Sequence, residues 1–289
     1  MRCLNHPQRY SSDSMVAVCI VTYNQEQYIA QAIESVLTQQ CDEPIRIFIG
    51  DDASTDKTEE ICRRYVAQDE RIFYYRREKN VGLVSNTIDL YRHIIATGCS
   101  YIAMLDGDDY WYTPDKLQSQ INFLRQNPTY GFVHTAAYNL KNGVISIEVP
   151  YNAIPIGDVS YQYKRNGVGQ TNSSVVFLTK LLREKDLDEI VAQHFRVLDY
   201  PLYGLFAQYT YLGYMDIPTV VWRVHDSTSN PNSIIKYGIY LFHYMRCWRW
   251  LEKRYPGKYG YTFFRALYAW TLQVIYATWV RVKNLTTMN

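Results

Sequence analysis

The sequence predicts an α/β fold: a mostly parallel, Rossmann-like sheet flanked by helices and followed by a helical extension. Three observations carry that prediction. Between residues 16 and 125 apolar strand patterns alternate with helical ones, as crossover units of a parallel sheet require. The first strand pattern shows no polar alternation, as expected of a strand covered on both faces. The polar residues after strands one, two and four fall at strand tails, where open α/β sheets bind their ligands.

The elements follow in order. Val16 to Thr22 is a continuous apolar run rich in β-branched residues, the first strand. Ile29, Ile33, Val36 and Leu37 recur at helical spacing, and Ile45 to Ile49 forms the second strand. The next helix is expected to be capped by Asp56, with Glu59 reaching back, and to turn Ile61, Tyr65 and Val66 inward. Ile72 to Tyr75 is the third strand. Val84, Ile88, Tyr91 and Ile95 mark one helix face, and Tyr101 to Leu105 the fourth strand. Thr113-Pro114 reads as a helix start with Leu117, Ile121 and Leu124 as the buried stripe. Beyond residue 130 the alternation fades, leaving β-like runs at Phe132 to Tyr138 and Ser173 to Leu178.

Size and composition bound the function. A chain of 289 residues with 47% hydrophobic and 20% charged residues can bury a substantial core beneath an ordinary surface. A net charge of +2 excludes the whole chain as an electrostatic nucleic-acid binder. The 28 tyrosines suggest partly wet aromatic surfaces, since a buried phenol still needs a hydrogen-bond partner. The six cysteines include no CxxC pair and no zinc spacing, which fits a reduced, cytoplasmic compartment. Residues 1–14 lack an apolar stretch, so they are expected to be loosely ordered and not a signal peptide.

Asp106-Gly107-Asp108-Asp109 places three carboxylates within four residues directly after a strand. Such crowding is costly unless something neutralises it. A divalent cation does so, and Mg2+ or Mn2+ prefers oxygen ligands. The plain alternative is an acidic turn before the helix at Thr113. The strand-end position and the second pair, Asp51-Asp52, favour the cation.

The runs Val18-Cys-Ile-Val-Thr-Tyr-Asn24, Asp51-Asp-Ala-Ser-Thr-Asp56, Asn80-Val-Gly82, and Asp106-Gly-Asp-Asp109 with Pro114-Asp-Lys-Leu117 resemble the family 2 glycosyltransferases in order and spacing. The resemblance extends to bacterial surface-polysaccharide enzymes, is strong over 16–125 and is traceable to about 229. It implies the GT-A fold, inversion at the anomeric carbon and Mn2+ or Mg2+. It also implies a nucleotide-binding half at 15–125 and an acceptor half at 126–230. It does not map onto residues 231–289, whose helical, aromatic and basic pattern makes them an extension. Position by position, Thr22, Tyr23 and Asn24 belong to the nucleotide site and Asp52 is to accept from the base, with Asp51 close by. Asn80 and Gly82 would pass over the nucleotide, Asp106 would lie near the ribose or sugar, and Asp108 and Asp109 beside the metal.

In the second half, Arg196-Val-Leu-Asp-Tyr-Pro-Leu-Tyr203 resembles the family's acidic segment, making Asp199 the candidate general base. Relatives often carry Glu-Asp where this chain has Leu198-Asp199. An alcohol nucleophile must lose its proton as it attacks, and a positioned carboxylate contributes about 10²–10⁴-fold. Val221-Trp-Arg-Val-His225 resembles the Tyr-Arg-x-His segment. It implies that His225 approaches the metal or diphosphate and that Arg223 meets phosphate oxygens.

Residues 234–283 are aromatic and basic, and their uncharged stretch, Ala266 to Val280, is shorter than the roughly 20 residues needed to span a bilayer. Two readings stay open: helices docked on the main domain, or peripheral contact with the inner face of the plasma membrane. The second would suit a glycan or lipid-linked acceptor. The function expected is transfer of a sugar from a nucleotide-diphosphate sugar, UDP-linked by family frequency, to an acceptor hydroxyl. A nucleotidyltransferase would carry a glycine-rich basic loop after the first strand, which Thr22-Tyr-Asn-Gln-Glu-Gln27 lacks. A non-catalytic nucleotide-binding module would have lost the carboxylates.

Overall fold

The computed structural model describes residues 2–4, 15–148, 157–158, 160, 171–225, 234–259, 268 and 271. Its strands are β1 (Arg2–Leu4), β2 (Val16–Thr22), β3 (Ile45–Asp51), β4 (Ile72–Arg76), β5 (Tyr101–Asp106), β6 (Tyr110–Trp111), β7 (Tyr130–Lys141), β8 (Val144–Glu148), β9 (Gly157–Asp158), β10 (Val176–Leu178) and β11 (Tyr211–Val224). Its helices are α1 (Ile29–Leu37), α2 (Thr58–Gln68), α3 (Leu83–Thr97), α4 (Lys116–Gln126), α5 (Glu184–Ala192), α6 (Asp199–Tyr209) and α7 (Ile234–Arg254). The strands form one sheet in the order β1-β4-β3-β2-β5-β10-β7-β11-β6, with β8 on β7 and β9 on β11.

β4, β3, β2 and β5 are parallel neighbours, as crossover helices demand. β10 then runs antiparallel to both β5 and β7, whereas β11 is parallel to β7. These directions bring the ends of β2, β3, β5 and β11, and the start of β10, to one edge. Arg2–Leu4, expected to be loosely ordered, adds an antiparallel strand beside β4.

Both faces of the sheet are covered. Along β2, Ala17, Cys19 and Val21 enter the core beneath α3, α5, α6 and α7, while Val16, Val18 and Ile20 enter that beneath α1 and α4. A two-residue side-chain period with both faces dry is why the run shows no polar alternation. The α4 stripe is Leu117, Ile121 and Leu124, all buried. On α2 the fully buried residues are Thr58 and Cys62, with Ile61, Tyr65 and Val66 only partly buried.

Local expectations met competition. Asp56 does accept the Thr58 N–H at 3.0 Å, but Glu59 does not reach back. It pairs with Arg63 and Arg76 instead, at 2.7 Å each, because two cations outbid one backbone N–H. α4 begins at Lys116, beyond Pro114, and the Thr113 hydroxyl is buried without a protein partner among the described residues. Most described tyrosines are half-buried or exposed, as expected, but a group of them lies in the core. Tyr74, Tyr91, Tyr203, Tyr214 and Tyr259 are among the largest fully buried side chains. Their hydroxyls bond inward, as Tyr91 does to Met104 Sδ at 3.1 Å and Tyr259 to the Gly204 carbonyl at 2.5 Å.

α7 docks on α6 through Cys247, Trp248 and Leu251. Gly204 allows this, because a Cβ there would lie 2.5 Å from Leu251 Cδ1. The docked reading therefore holds for residues 247–251, while nearly all of 260–289 lies outside the described residues. Among the described residues no helix is long and apolar enough to cross a membrane. Leu251→Ala should destabilise the protein by about 2–5 kcal/mol in urea unfolding; a change below about 0.5 kcal/mol would mean that α7 is not packed on α6 in solution.

Candidate active site

The ends of β2 and β3 are tied together. Asp52 N–H donates to the Thr22 carbonyl at 3.0 Å, and Asn24 N–H to Ser54 Oγ at 2.9 Å. Asn24 Oδ1 accepts the Thr55 N–H at 2.7 Å, and both Asn24 and Ala53 take positive φ, 52° and 63°. For residues other than glycine that conformation is costly, and it persists where surrounding bonds over-determine it.

The two aspartates here do different work. Asp51 is fully buried, with Oδ1 taking the Ser54 N–H and hydroxyl at 2.8 and 2.6 Å and Oδ2 the Tyr74 hydroxyl at 2.5 Å. Asp52 reaches across instead, accepting the Val81 and Gly82 N–H groups at 2.8 Å each. Burial pushes its carboxyl pKa up, and those two N–H bonds oppose the shift. Gly82, at φ 87°, turns the chain into α3, a conformation that favours glycine. Tyr23, Asn24 and Asn80 lie exposed around this clamp, and the Thr22 hydroxyl is buried with no protein partner among the described residues.

The acidic turn sorts its three carboxylates. Asp109 is 1% exposed, and its oxygens accept from Ser173 Oγ at 2.6 Å and Arg223 N at 3.0 Å. Burial raises its pKa well above the usual range, and the charges of Asp108 and Asp106 add to the rise. Asp106 accepts the Asn172 amide at 3.0 Å and donates its own N–H to Ser173 Oγ at 3.0 Å. Its pKa is pushed up to about 7, by burial first and then by Asp108. Asp108 points the other way, with Oδ2 3.0 Å from His225 Nε2, and both side chains are partly exposed. The His225 ring stacks on Tyr28 at 5.0 Å.

Opposite this turn, α6 opens with Asp199. Burial pushes its carboxyl up to about 6, opposed by the Tyr200 N–H. One turn further, the Tyr203 hydroxyl donates to Asn172 Oδ1 at 2.6 Å, and Asn172 in turn donates to Asp106. A cavity of about 380 Å³ beside His225 is lined by Tyr28, Lys141, Asn142 and Arg223. A larger one, about 640 Å³, lies at the other edge of the sheet, between Tyr130, Leu178 and Tyr211, remote from every carboxylate above.

The profile of the glycosyl transferase family 2 matches residues 17–190, more than half of the chain. The chain belongs to that family. An uncharacterised glycosyltransferase of Methanocaldococcus jannaschii is 27% identical over 61% of this chain and 59% of its own length. An uncharacterised protein of Mycobacterium tuberculosis is 35% identical over 47% of this chain. The match spans only 39% of that relative. Among solved structures, a mannosyltransferase from Pyrobaculum calidifontis in complex with GDP-Man and Mn2+ aligns with TM-score 0.61 and 19% identity, over 92% of this chain and 71% of that one. TarS of S. aureus in complex with UDP-GlcNAc aligns with TM-score 0.58 and 17% identity, over 82% and 65%. These likenesses identify the GT-A fold.

Within this family 2 chain, two expected contact residues, Asp51 and Asp109, are turned inward. Asp51 and Asp109 have both oxygens engaged by protein donors, which lowers the cost of so deep a burial. Arg223, 9% exposed, donates to the Asp108 carbonyl at 2.5 Å and to Gln31, and lies over the rings of Tyr28 and Tyr110. Its side chain is thus braced by the turn while lining the cavity beside His225. Sequence reading missed Asn172, Ser173 and Tyr203, whose partners lie 31–67 residues away in the chain.

Asp108 and His225 offer one carboxylate and one imidazole at a shared mouth, donors that Mn2+ accepts. Among the described residues no three His, Cys, Asp or Glu side chains converge to cage an ion. A two-donor site still fits, because Mg2+-type sites take one or two carboxylates and fill the rest with phosphate and water. The clamp generates its own prediction. Asp52→Asn turns an amide NH2 towards one backbone N–H and should cost about 1–3 kcal/mol in urea unfolding; parental stability would mean that Asp52 does not hold both N–H groups.

Proposed function

We propose that this family 2 glycosyltransferase moves a sugar from a nucleotide-diphosphate donor, UDP-linked in the first instance, to an acceptor hydroxyl with inversion. The observation that carries the reading is the sorting of carboxylates on one sheet edge. Asp108 faces outward to His225 while Asp199 opens a helix on the facing side, its pKa raised to about 6. The nucleotide would lie over Thr22, Tyr23 and the Asp52–Gly82 clamp, whose carboxylate oxygens retain lone pairs for a base N–H. Asn24 and Asn80 flank that place, and Asp106 approaches the ribose or sugar. Asp51 and Asp109 act from behind as supports. Solved neighbours carry UDP-GlcNAc in one case and GDP-Man with Mn2+ in another, which supports a nucleotide-sugar donor and a divalent cation.

Asp108 and His225 would hold Mn2+ or Mg2+, with Asp109 fixing the turn. When bound, the cation stabilises the charge that develops on the departing diphosphate. Asp199 takes the proton from the acceptor hydroxyl, whose oxygen attacks the anomeric carbon from the face opposite the diphosphate. A base raised to about 6 remains ionised at neutral pH yet is a better proton acceptor than an ordinary carboxylate. The acceptor is proposed to be a glycan or lipid-linked glycan in cell-surface polysaccharide synthesis, met at the inner face of the membrane by the aromatic, basic C-terminal segment.

A thermal-shift panel of UDP, GDP and dTDP, each with and without Mn2+, tests the donor site. A ligand at about a hundred times its Kd adds roughly 2.7 kcal/mol. A shift that needs both the cation and one nucleotide is expected, and no shift with any pair would overturn the reading. Asp199→Asn should leave nucleotide affinity unchanged and lower transfer at least about a hundredfold. In the parent, kcat/KM should fall about tenfold per pH unit below about 6, as Asp199 takes up its proton. Transfer by the Asn variant at the parental rate would remove Asp199 as the base.

A further inference from the structure

Lys116 is fully buried at the first position of α4. Burial pushes its pKa well below the usual lysine range, and no charged neighbour opposes the shift. A methionine would fill the same volume without that penalty, so the ammonium end has work that packing alone does not explain. Its nitrogen lies 4.3 Å from the centroid of the Trp111 ring, a face that favours a cation. It donates to Gln120 Oε1 at 2.7 Å.

That bond satisfies the oxygen of the Gln120 amide. The Ser174 and Val133 carbonyls can only accept, so the amide nitrogen of Gln120 must face them and its oxygen is left for Lys116. The amide nitrogen lies 2.8 Å from the Ser174 carbonyl and 3.2 Å from the Val133 carbonyl. Trp111, on which the ammonium rests, donates its Nε1–H to the Ser173 carbonyl at 2.9 Å. Two consecutive carbonyls of the turn Asn172–Ser174 are thus held by the two side chains that Lys116 touches. The same turn holds the cation-facing segment: Asn172 donates to Asp106, and Ser173 to Asp109.

We propose that Lys116 is a positioning residue for the Asp106–Asp109 turn, acting through Gln120 and Trp111 on Asn172–Ser174, so that Asp108 is left as the outward carboxylate. This rests on the donor-site reading above. Among the described residues the relay's hydrogen bonds end on Val133 and Asn172–Ser174, and none reaches the Asp52–Gly82 clamp, although Gly107 of the acidic turn donates to the Val21 carbonyl beside Thr22. Metal-free affinity therefore reads the clamp side.

The test is calorimetric titration of UDP and of GDP, with and without Mn2+, into the parent, Lys116→Met, Gln120→Glu and Trp111→Phe. Gln120→Glu keeps the acceptor for Lys116 and loses both amide donations. Trp111→Phe keeps a ring face and loses the Nε1–H, and it decides the question if Lys116→Met does not fold. In each folded variant the gain in nucleotide affinity on adding Mn2+ should fall at least about tenfold, with metal-free affinity kept within about twofold. A parental Mn2+ gain in the folded variants would overturn the proposal, and so would an equal loss with and without Mn2+. A parent that binds neither nucleotide with Mn2+ would instead sink the donor-site reading, and the inference with it.

Discussion

The active edge is organised around one carboxylate that must not meet water. Asp109 is buried, and the cost of its ionised form is lowered because Ser173 and the Arg223 backbone both donate to it. Those donors lie 64 and 114 residues away in the chain. The acidic turn, the short turn before β10 and the last strand must therefore assemble together. Once they do, the neighbours of Asp109 have fixed directions. Asp106 faces Asn172, Asp108 faces outward, and His225, two residues beyond Arg223, is delivered to it.

The acceptor side is coupled to the same centre. Tyr203 stands one turn beyond Asp199 on α6 and reaches Asp106 through Asn172. The neutral bond from Tyr203 to Asn172 is worth about 0.5–1.5 kcal/mol and helps to keep α6 in register with the acidic turn. α7 braces α6 from behind through Leu251, and Tyr259, five residues beyond its end, adds a hydroxyl bond to the Gly204 carbonyl. The helical extension thus supports the helix that opens with Asp199.

Much of the first half was legible in the chain. β2, β3 and β5 appeared as apolar runs, and the apolar part of the α4 stripe, Leu117, Ile121 and Leu124, was legible, although the buried Lys116 and Gln120 beside it were not. Both depend on periodicity, which neighbouring residues carry by themselves. The capping arrangement at Asp56 was half legible. Its aspartate bonds as the local pattern suggests, but Glu59 is drawn off by Arg76, which arrives from β4. The abundant tyrosines suggested surface, yet several serve as core side chains with an inward bond. A composition count cannot see which phenols find a partner inside.

Sequence alone determined the family, the order of strands and helices through the first half, and the positions of the acidic motifs at strand tails. Those properties are local, written in runs and short spacings. Tertiary structure decided which members of each motif face the cleft. Asp51 and Asp109 turn inward, while Asp108 and His225 turn outward. Adjacent aspartates look alike in a sequence. What separates them is the set of donors that folding brings to one and withholds from the other, and those donors come from distant elements.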